Sequence, residues 1–322
     1  MKISGPTPSS FLLGNVGMFP KDISDNPQFV RGLAEKYGGN GAFKFFIGPI
    51  PTIFCVSPEI AKVLLGTSKH SRKSFLYFTL MPWLGTGLLT SEGAKWKSRR
   101  RLITPAFHFD ILKRFLEVMN EQTDVLLDLI ASKSEQGHVE VFELITLCTL
   151  DIIAETAMGK KIGAQSSAGQ RNEYVEAVYK ASELIILRGR KPWGLIDFIY
   201  AFMEEGKQMK KMLKVLHTFT RQVIKERRSL LAAELQTSKR PEGSEPAQRI
   251  RPAFLDLLLT AEEDGSPIDD EDIREEVDTF MFEGKPRDRS CPLFSCSCFT
   301  LSCPLPLQAT TPPAPLWLGL YS

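Results

Sequence analysis

Apolar positions along this chain recur mostly at helical spacing, and one short stretch near the N terminus breaks that rule. The first twenty residues are rich in Pro, Gly and Ser, so residues 1–25 read as an irregular lead-in. Phe29, Leu33 and Tyr37 then recur four apart and predict a helix from Asn26 to Gly38. The apolar runs Phe43 to Ile47 and Thr52 to Val56 flank Gly48-Pro49-Ile50-Pro51, which predicts a β-hairpin and the only sheet. Ser57 can cap a short helix over Glu59 to Leu65, with Pro58 at its first position. Beyond it, Asp110 to Ser132, Val141 to Met158, Asn172 to Leu187 and Glu204 to Leu235 all carry apolar residues at helical period. Thr237 to Pro252, a mixture of Lys, Arg, Pro, Gly, Ser and Glu, reads as a flexible loop.

A last helix starts near Asp269 and Asp270, with further acids in its first turn where the helix dipole favours them. Ile273, Val277, Phe280, Met281 and Gly284 form its stripe, and Pro286 ends it. From Lys285 to Ser322 neither helical nor strand periodicity persists, which predicts an unstructured tail rich in Pro and Cys.

Composition narrows the class. With 322 residues, 43% hydrophobic and 24% charged, the chain reads as globular, and a net charge of +2 gives no reason to expect a nucleic-acid partner. The opening Met1-Lys2-Ile3-Ser4-Gly5-Pro6 lacks the roughly 20 apolar residues of a membrane-spanning helix, so no anchor or signal peptide is expected. Only Cys55 and Cys148 precede the tail, and no disulfide framework is expected in the main body. The tail cysteines, Cys-x4-Cys-x-Cys-x4-Cys over Cys291, Cys296, Cys298 and Cys303, lack the paired Cys-x2-Cys spacing usual for zinc.

The candidate chemistry begins at Trp96-Lys97-Ser98-Arg99-Arg100. Trp96 and Arg100 sit one helical turn apart, so an indole N–H and a guanidinium can face one carboxylate. The same letters also fit a core Trp beside a solvated basic face of Lys95, Lys97, Arg99, Arg100 and Arg101, a face that could dock an acidic protein. The following Thr104-Pro105-Ala106-Phe107-His108-Phe109 decides for the first reading, because the whole segment resembles the C-helix motif of cytochromes P450. Arg274 to Gly284, with Glu-Glu-Val-Asp-Thr-Phe-Met-Phe-Glu-Gly, looks like the I-helix approach of family 4. Pro82 to Leu89 and Leu147 to Gly159 resemble the same family, and Gly163-Ala164-Gln165-Ser166 points to its 4V branch.

The resemblance implies a mainly α cytochrome P450 fold with a small N-terminal β-hairpin, spanning 26–284 and incomplete beyond the early I helix. It implies heme as cofactor, with Trp96 and Arg100 at a heme propionate, and Glu283 matching the residue that can esterify a heme methyl, though a frayed, exposed Glu at a broken helix end would read alike. Leu76, Phe78, Pro82, Trp83 and Phe280 would line the pocket of a fatty acid or other lipid substrate. The implied activity is monooxygenation at the ω-carbon, with electrons from NADPH-cytochrome P450 reductase, on the cytosolic face of the endoplasmic reticulum; without an anchor, a cytosolic location also fits. Arg188 to Tyr200 mixes cations with aromatics, as an interfacial membrane segment does, though a buried connection between helices would read alike.

The sequence departs from the family where the oxygen chemistry is made. Lys285, Pro286, Arg287 and Asp288 replace the acid and Thr that follow Glu-Gly, and no Phe-x-x-Gly-x-x-x-Cys-x-Gly loop is present. Glu271-Asp272-Ile273-Arg274 matches Glu-x-x-Arg by letter, but on the wrong helix. No residue is therefore assigned a catalytic or iron-ligating role, and these residues are expected to be catalytically incompetent and poorly folded alone, binding heme or lipid weakly at most.

Overall fold

The hairpin forms where the apolar runs place it. In the computed structural model, which describes residues 3–66, 73–135, 137–166, 172–237, 254–263 and 266–283, β1 (Ala42–Ile47) pairs antiparallel with β2 (Ile50–Cys55), Phe43 opposite Phe54. Phe43, Phe45 and Ile47 alternate onto one buried face. Helix α1 (Asn26–Tyr37) covers that face with Val30 and Leu33. The lead-in holds only two 3-10 turns, Val16–Met18 and Ile23–Asp25, and isolated β-bridges, but it has a fixed place. The Asn15 backbone N–H donates to the Phe46 carbonyl at 2.8 Å, and its side-chain Oδ1 accepts from the Phe46 N–H at 2.9 Å, so a strand edge is satisfied without a strand.

Helix α2 (Pro58–Leu65) starts as read: the Ser57 hydroxyl accepts from the Ile60 N–H at 3.3 Å. The remaining helices are α3 (Met81–Leu84), α4 (Gly93–Ile103), α5 (Phe109–Ser134), α6 (Val141–Met158), α7 (Glu173–Gly189), α8 (Asp197–Phe202), α9 (Glu204–Thr237), α10 (Phe254–Thr260) and α11 (Asp270–Glu283). Asn172 caps α7, its Oδ1 accepting from the Tyr174 and Val175 N–H groups. Helix α7 packs on α9, α5 on α6, and α11 against α9, α6 and α3. The main core lies among them, with Leu150, Ala181, Leu216, Leu255 and Val277 essentially inaccessible.

Differences from the sequence reading concern short elements. A two-residue ladder of β3 (Glu262–Glu263) and β4 (Ser266–Pro267) adds a second sheet that no periodicity could reveal at that length. Helices α3, α8 and α10 span at most two turns and owe their form to packing rather than to propensity. The predicted break at Pro286, the tail and most of the Thr237 to Pro252 loop lie outside the described residues. Among those residues, no helix is long and apolar enough to cross a membrane.

Candidate cofactor-facing site

Helix α4 presents two different faces to its surroundings. Lys95 and Arg99 are four apart on one; Trp96 and Arg100 are four apart on the next, about 100° round the axis.

The first face is bound to α11, whose Asp272, Glu275 and Glu276 share a side at i, i+3 and i+4. Lys95 Nζ lies 3.0 Å from Asp272 and 3.4 Å from Glu275; Arg99 lies 2.6 Å from Asp272 and 3.9 Å from Glu276. The Gly85-Thr86-Gly87 turn is laid on the same acids. The Thr86 hydroxyl donates to Glu275 and the Leu88 N–H to Glu276, each at 3.0 Å. This approach requires glycine: Gly85 has φ +55°, and a Cβ there would stand 1.9 Å from the Glu275 carboxylate. Burial pushes Glu276 up to about 7, opposed by the Leu88 N–H and Arg99. Burial also works against ionised Asp272, but Lys95 and Arg99 outweigh it and hold that carboxyl below its ordinary value.

The second face has spare hydrogen-bonding capacity. The Arg100 guanidinium lies over the Trp96 ring at 5.2 Å, and both residues are half-buried. Among the described residues, neither the indole N–H nor the Arg100 guanidinium meets a hydrogen-bond acceptor or an acidic partner. A planar cationic fork beside a neutral donor suits an anionic carboxylate, so this donor set fits a heme propionate.

The outward basic face read from Lys95, Lys97, Arg99 and Arg101 does not form as a unit. Arg99 is 2% exposed and Lys95 is tied down, leaving Lys97 and Arg101 in solvent, because the acids of α11 recruit the other two. Sequence reasoning did not pick out this interface, although its signal was present as paired cations at i, i+4 facing acids at i, i+3, i+4.

The pocket residues scatter. Phe78, half-buried, lines a cavity of about 410 Å³ with Phe75, Met81, Thr86, Ser91 and Lys95. Leu76 is buried in the core of the hairpin. Trp83 is 1% exposed, its ring edge-on to Phe282 at 5.4 Å, while Pro82 faces solvent. Phe280 packs between Phe107 and Phe254, with ring centroids 5.7 and 4.1 Å away. Glu283 is half-buried at the end of α11, eight residues or about 12 Å along the helix from Glu275.

A second charged cluster holds the other side of α11. Asp278 accepts from the Thr220 hydroxyl at 2.6 Å and pairs with Arg274. Arg274 and His217 both reach the Trp83 carbonyl at 3.0 Å, so the imidazole donates from Nε2. Burial pushes Asp278 up to about 7 against the pull of Thr220 and Arg274, and burial lowers His217. The Glu-x-x-Arg letters are an i, i+3 pair here, Glu271 to Arg274 at 2.9 Å.

Both described cysteines are buried, with thiols raised by burial, the opposite of an activated thiolate. The tail cysteines lie outside the described residues, among which no side-chain group is suited to a metal ion. In the 188–200 segment Arg188 and Lys191 are tied to acids and Tyr200 is buried, while Trp193 and Phe198 turn outward. Arg188 is buried and paired with Asp197, and Lys191 is paired with Glu205, while Trp193 is 46% and Phe198 74% exposed.

A family model described as Cytochrome P450 matches residues 4–285. The chain is 46% identical to Cytochrome P450 4V2 of Homo sapiens over 274 residues, which is 85% of this chain and 52% of that protein. It is 50% identical to Cytochrome P450 4V2 of Rattus norvegicus over 264 residues, 81% of this chain and 50% of the relative. It is 40% identical to Cytochrome P450 4c3 of Drosophila melanogaster over 309 residues, 94% of this chain and 57% of the relative. The chain thus spans about half the length of the curated relatives it matches. With its mainly helical fold, small antiparallel hairpin and matches of this extent, the chain belongs to the cytochrome P450 family, within family 4 and beside its 4V branch.

Proposed function

We propose that residues 26–284 are the front part of a heme-thiolate monooxygenase domain, in which Trp96 and Arg100 hold the heme propionates and the cavity at Phe78 receives a fatty acid or other lipid. The heme, when bound, supplies oxygen activation for hydroxylation, in family 4 at the ω-carbon. The observation that carries this reading is the α4 face on which a guanidinium and an indole lie together with unspent donors. Arg100 donates charge-assisted bonds to a carboxylate, each roughly twice as strong as a neutral pair. Trp96 holds the fork by its ring face and adds its own N–H. Phe75, Phe78 and Met81 offer a lipid chain apolar contact. Glu283, at the apolar end of α11, is the carboxylate proposed for a link to the heme.

These 322 residues offer no recognisable thiolate loop, so we propose that, alone, they bind heme or lipid without the oxygen chemistry. The test is hemin titration of the purified chain followed by a reduced carbon monoxide difference spectrum. A hemin complex weakened by Arg100→Met, with no thiolate-shifted band, is the expected result. Equal hemin uptake by wild type and Arg100→Met would remove the propionate role, and a thiolate band with hydroxylated fatty acid would remove the incompetence.

Exposed Trp193, Ile196, Phe198 and Phe202 favour peripheral contact with a lipid surface, in this family the cytosolic face of the endoplasmic reticulum, where the reductase would be met. Flotation with liposomes should weaken on changing Trp193 and Phe198 to Ser; unchanged binding would remove this contact.

A further inference from the structure

We propose that Lys95 and Arg99 are positioning residues, whose paired contacts with Asp272, Glu275 and Glu276 set the roll of α4 so that Trp96 and Arg100 meet an anionic group together. This rests on the propionate-holding role proposed for Trp96 and Arg100.

The need for such a device follows from how little else orients α4. Its apolar contacts with the core come from Leu102 and Ile103 in the last turn, so apolar packing constrains the roll of the turns that carry Lys95 to Arg100 weakly. Two cations one turn apart, each held by α11, act as two rungs along the axis and resist that rotation. Trp96 and Arg100 follow each rung by one residue, so the roll that seats Lys95 and Arg99 also fixes the direction of the neighbouring pair. A helix with side chains has a radius of about 5–6 Å. A roll of about 20° would carry a guanidinium some 2 Å sideways, beyond the narrow distance range of a good hydrogen bond. The Gly85-Thr86-Gly87 turn braces the same acids, since Thr86 bonds to both Lys95 and Glu275.

The test compares hemin with hemin dimethyl ester, whose propionates carry no charge, on the full chain. The ratio of the two dissociation constants reads propionate recognition, whereas a general loss of structure weakens both ligands alike. Wild type should prefer hemin by about tenfold or more, the worth of a charge-assisted bond. Arg100→Met should bring the ratio close to one. Arg99→Met and Asp272→Asn should each bring it within about threefold of one while retaining ester affinity and helical circular dichroism, and Arg99→Lys should restore part of it. Should Arg99→Met fail to fold, Asp272→Asn decides, its side chain being 31% exposed. A wild-type ratio in Asp272→Asn, alongside a collapsed one in Arg100→Met, would overturn the positioning role and leave the propionate contact standing. No preference in wild type, unchanged by Arg100→Met, would overturn the contact itself and the positioning role with it.

Discussion

The two sides of α11 use charge differently. Toward α9 and α3, Asp278 is 1% exposed and enclosed by Arg274, Thr220 and His217, with the Trp83 carbonyl shared between the guanidinium and the imidazole. Toward α4, the acids are a graded set: Glu276 is buried, but Asp272 is 31% and its partner Lys95 38% exposed. Coulomb attraction and desolvation both grow as water is excluded, so the first cluster is an all-or-none lock, whereas the second tolerates adjustment. The lock secures the fold, and the wetter interface is the one suited to aiming a neighbouring face.

Asp278→Ala should have the largest effect, because it removes the buried carboxylate that pairs with Arg274 and leaves it only the half-exposed Glu271. A loss of about 3–5 kcal/mol in chemical denaturation is expected, and a loss below about 1 kcal/mol would show that the lock is not closed. Next comes Glu276→Gln, whose effect should depend on pH. The folded protein keeps the Glu276 proton up to about 7, against 4.5 for an ordinary glutamate. Its contribution is therefore complete below about pH 4.5 and declines as pH rises toward 7. The Gln variant lacks that decline, so its stability relative to wild type should rise across this window by on the order of 3 kcal/mol. A difference that stays flat with pH would contradict the buried placement. Thr220→Val should cost about 1–3 kcal/mol by removing the hydroxyl donor to Asp278. The smallest effect on stability belongs to Lys95→Met, within about 1 kcal/mol for a pair this exposed. Its hemin-to-ester ratio should nevertheless fall, and that divergence between stability and selectivity separates aiming from holding.

The long elements were legible because their signal is local. The sequence reading Val141 to Met158 coincides with α6, Glu204 opens α9, and Ser57 caps α2, since periodicity and capping depend on residues a few places apart. Trp96 and Arg100 were legible as a pair for the same reason, four apart on one helix. The partners of their neighbours were not. Arg99, Arg100 and Arg101 are identical in type and consecutive, yet Arg99 is buried against acids, Arg100 covers an indole and Arg101 faces water. Trp83 likewise read as a pocket residue and lies in the core, because Phe282, 199 positions later, supplies the ring it packs against.

By itself the sequence determined a mainly helical chain with one N-terminal hairpin, the positions of its long helices and the cytochrome P450 family, all carried by periodicity and contiguous motifs. Tertiary structure alone decided which cations are buried, how far α4 is rolled and which aromatic rings are core. Those outcomes depend on residues of α11, its carboxylates for the cations and Phe282 for Trp83, more than 170 positions from the residues they meet, and helix propensity carries no information about where another helix will come to lie.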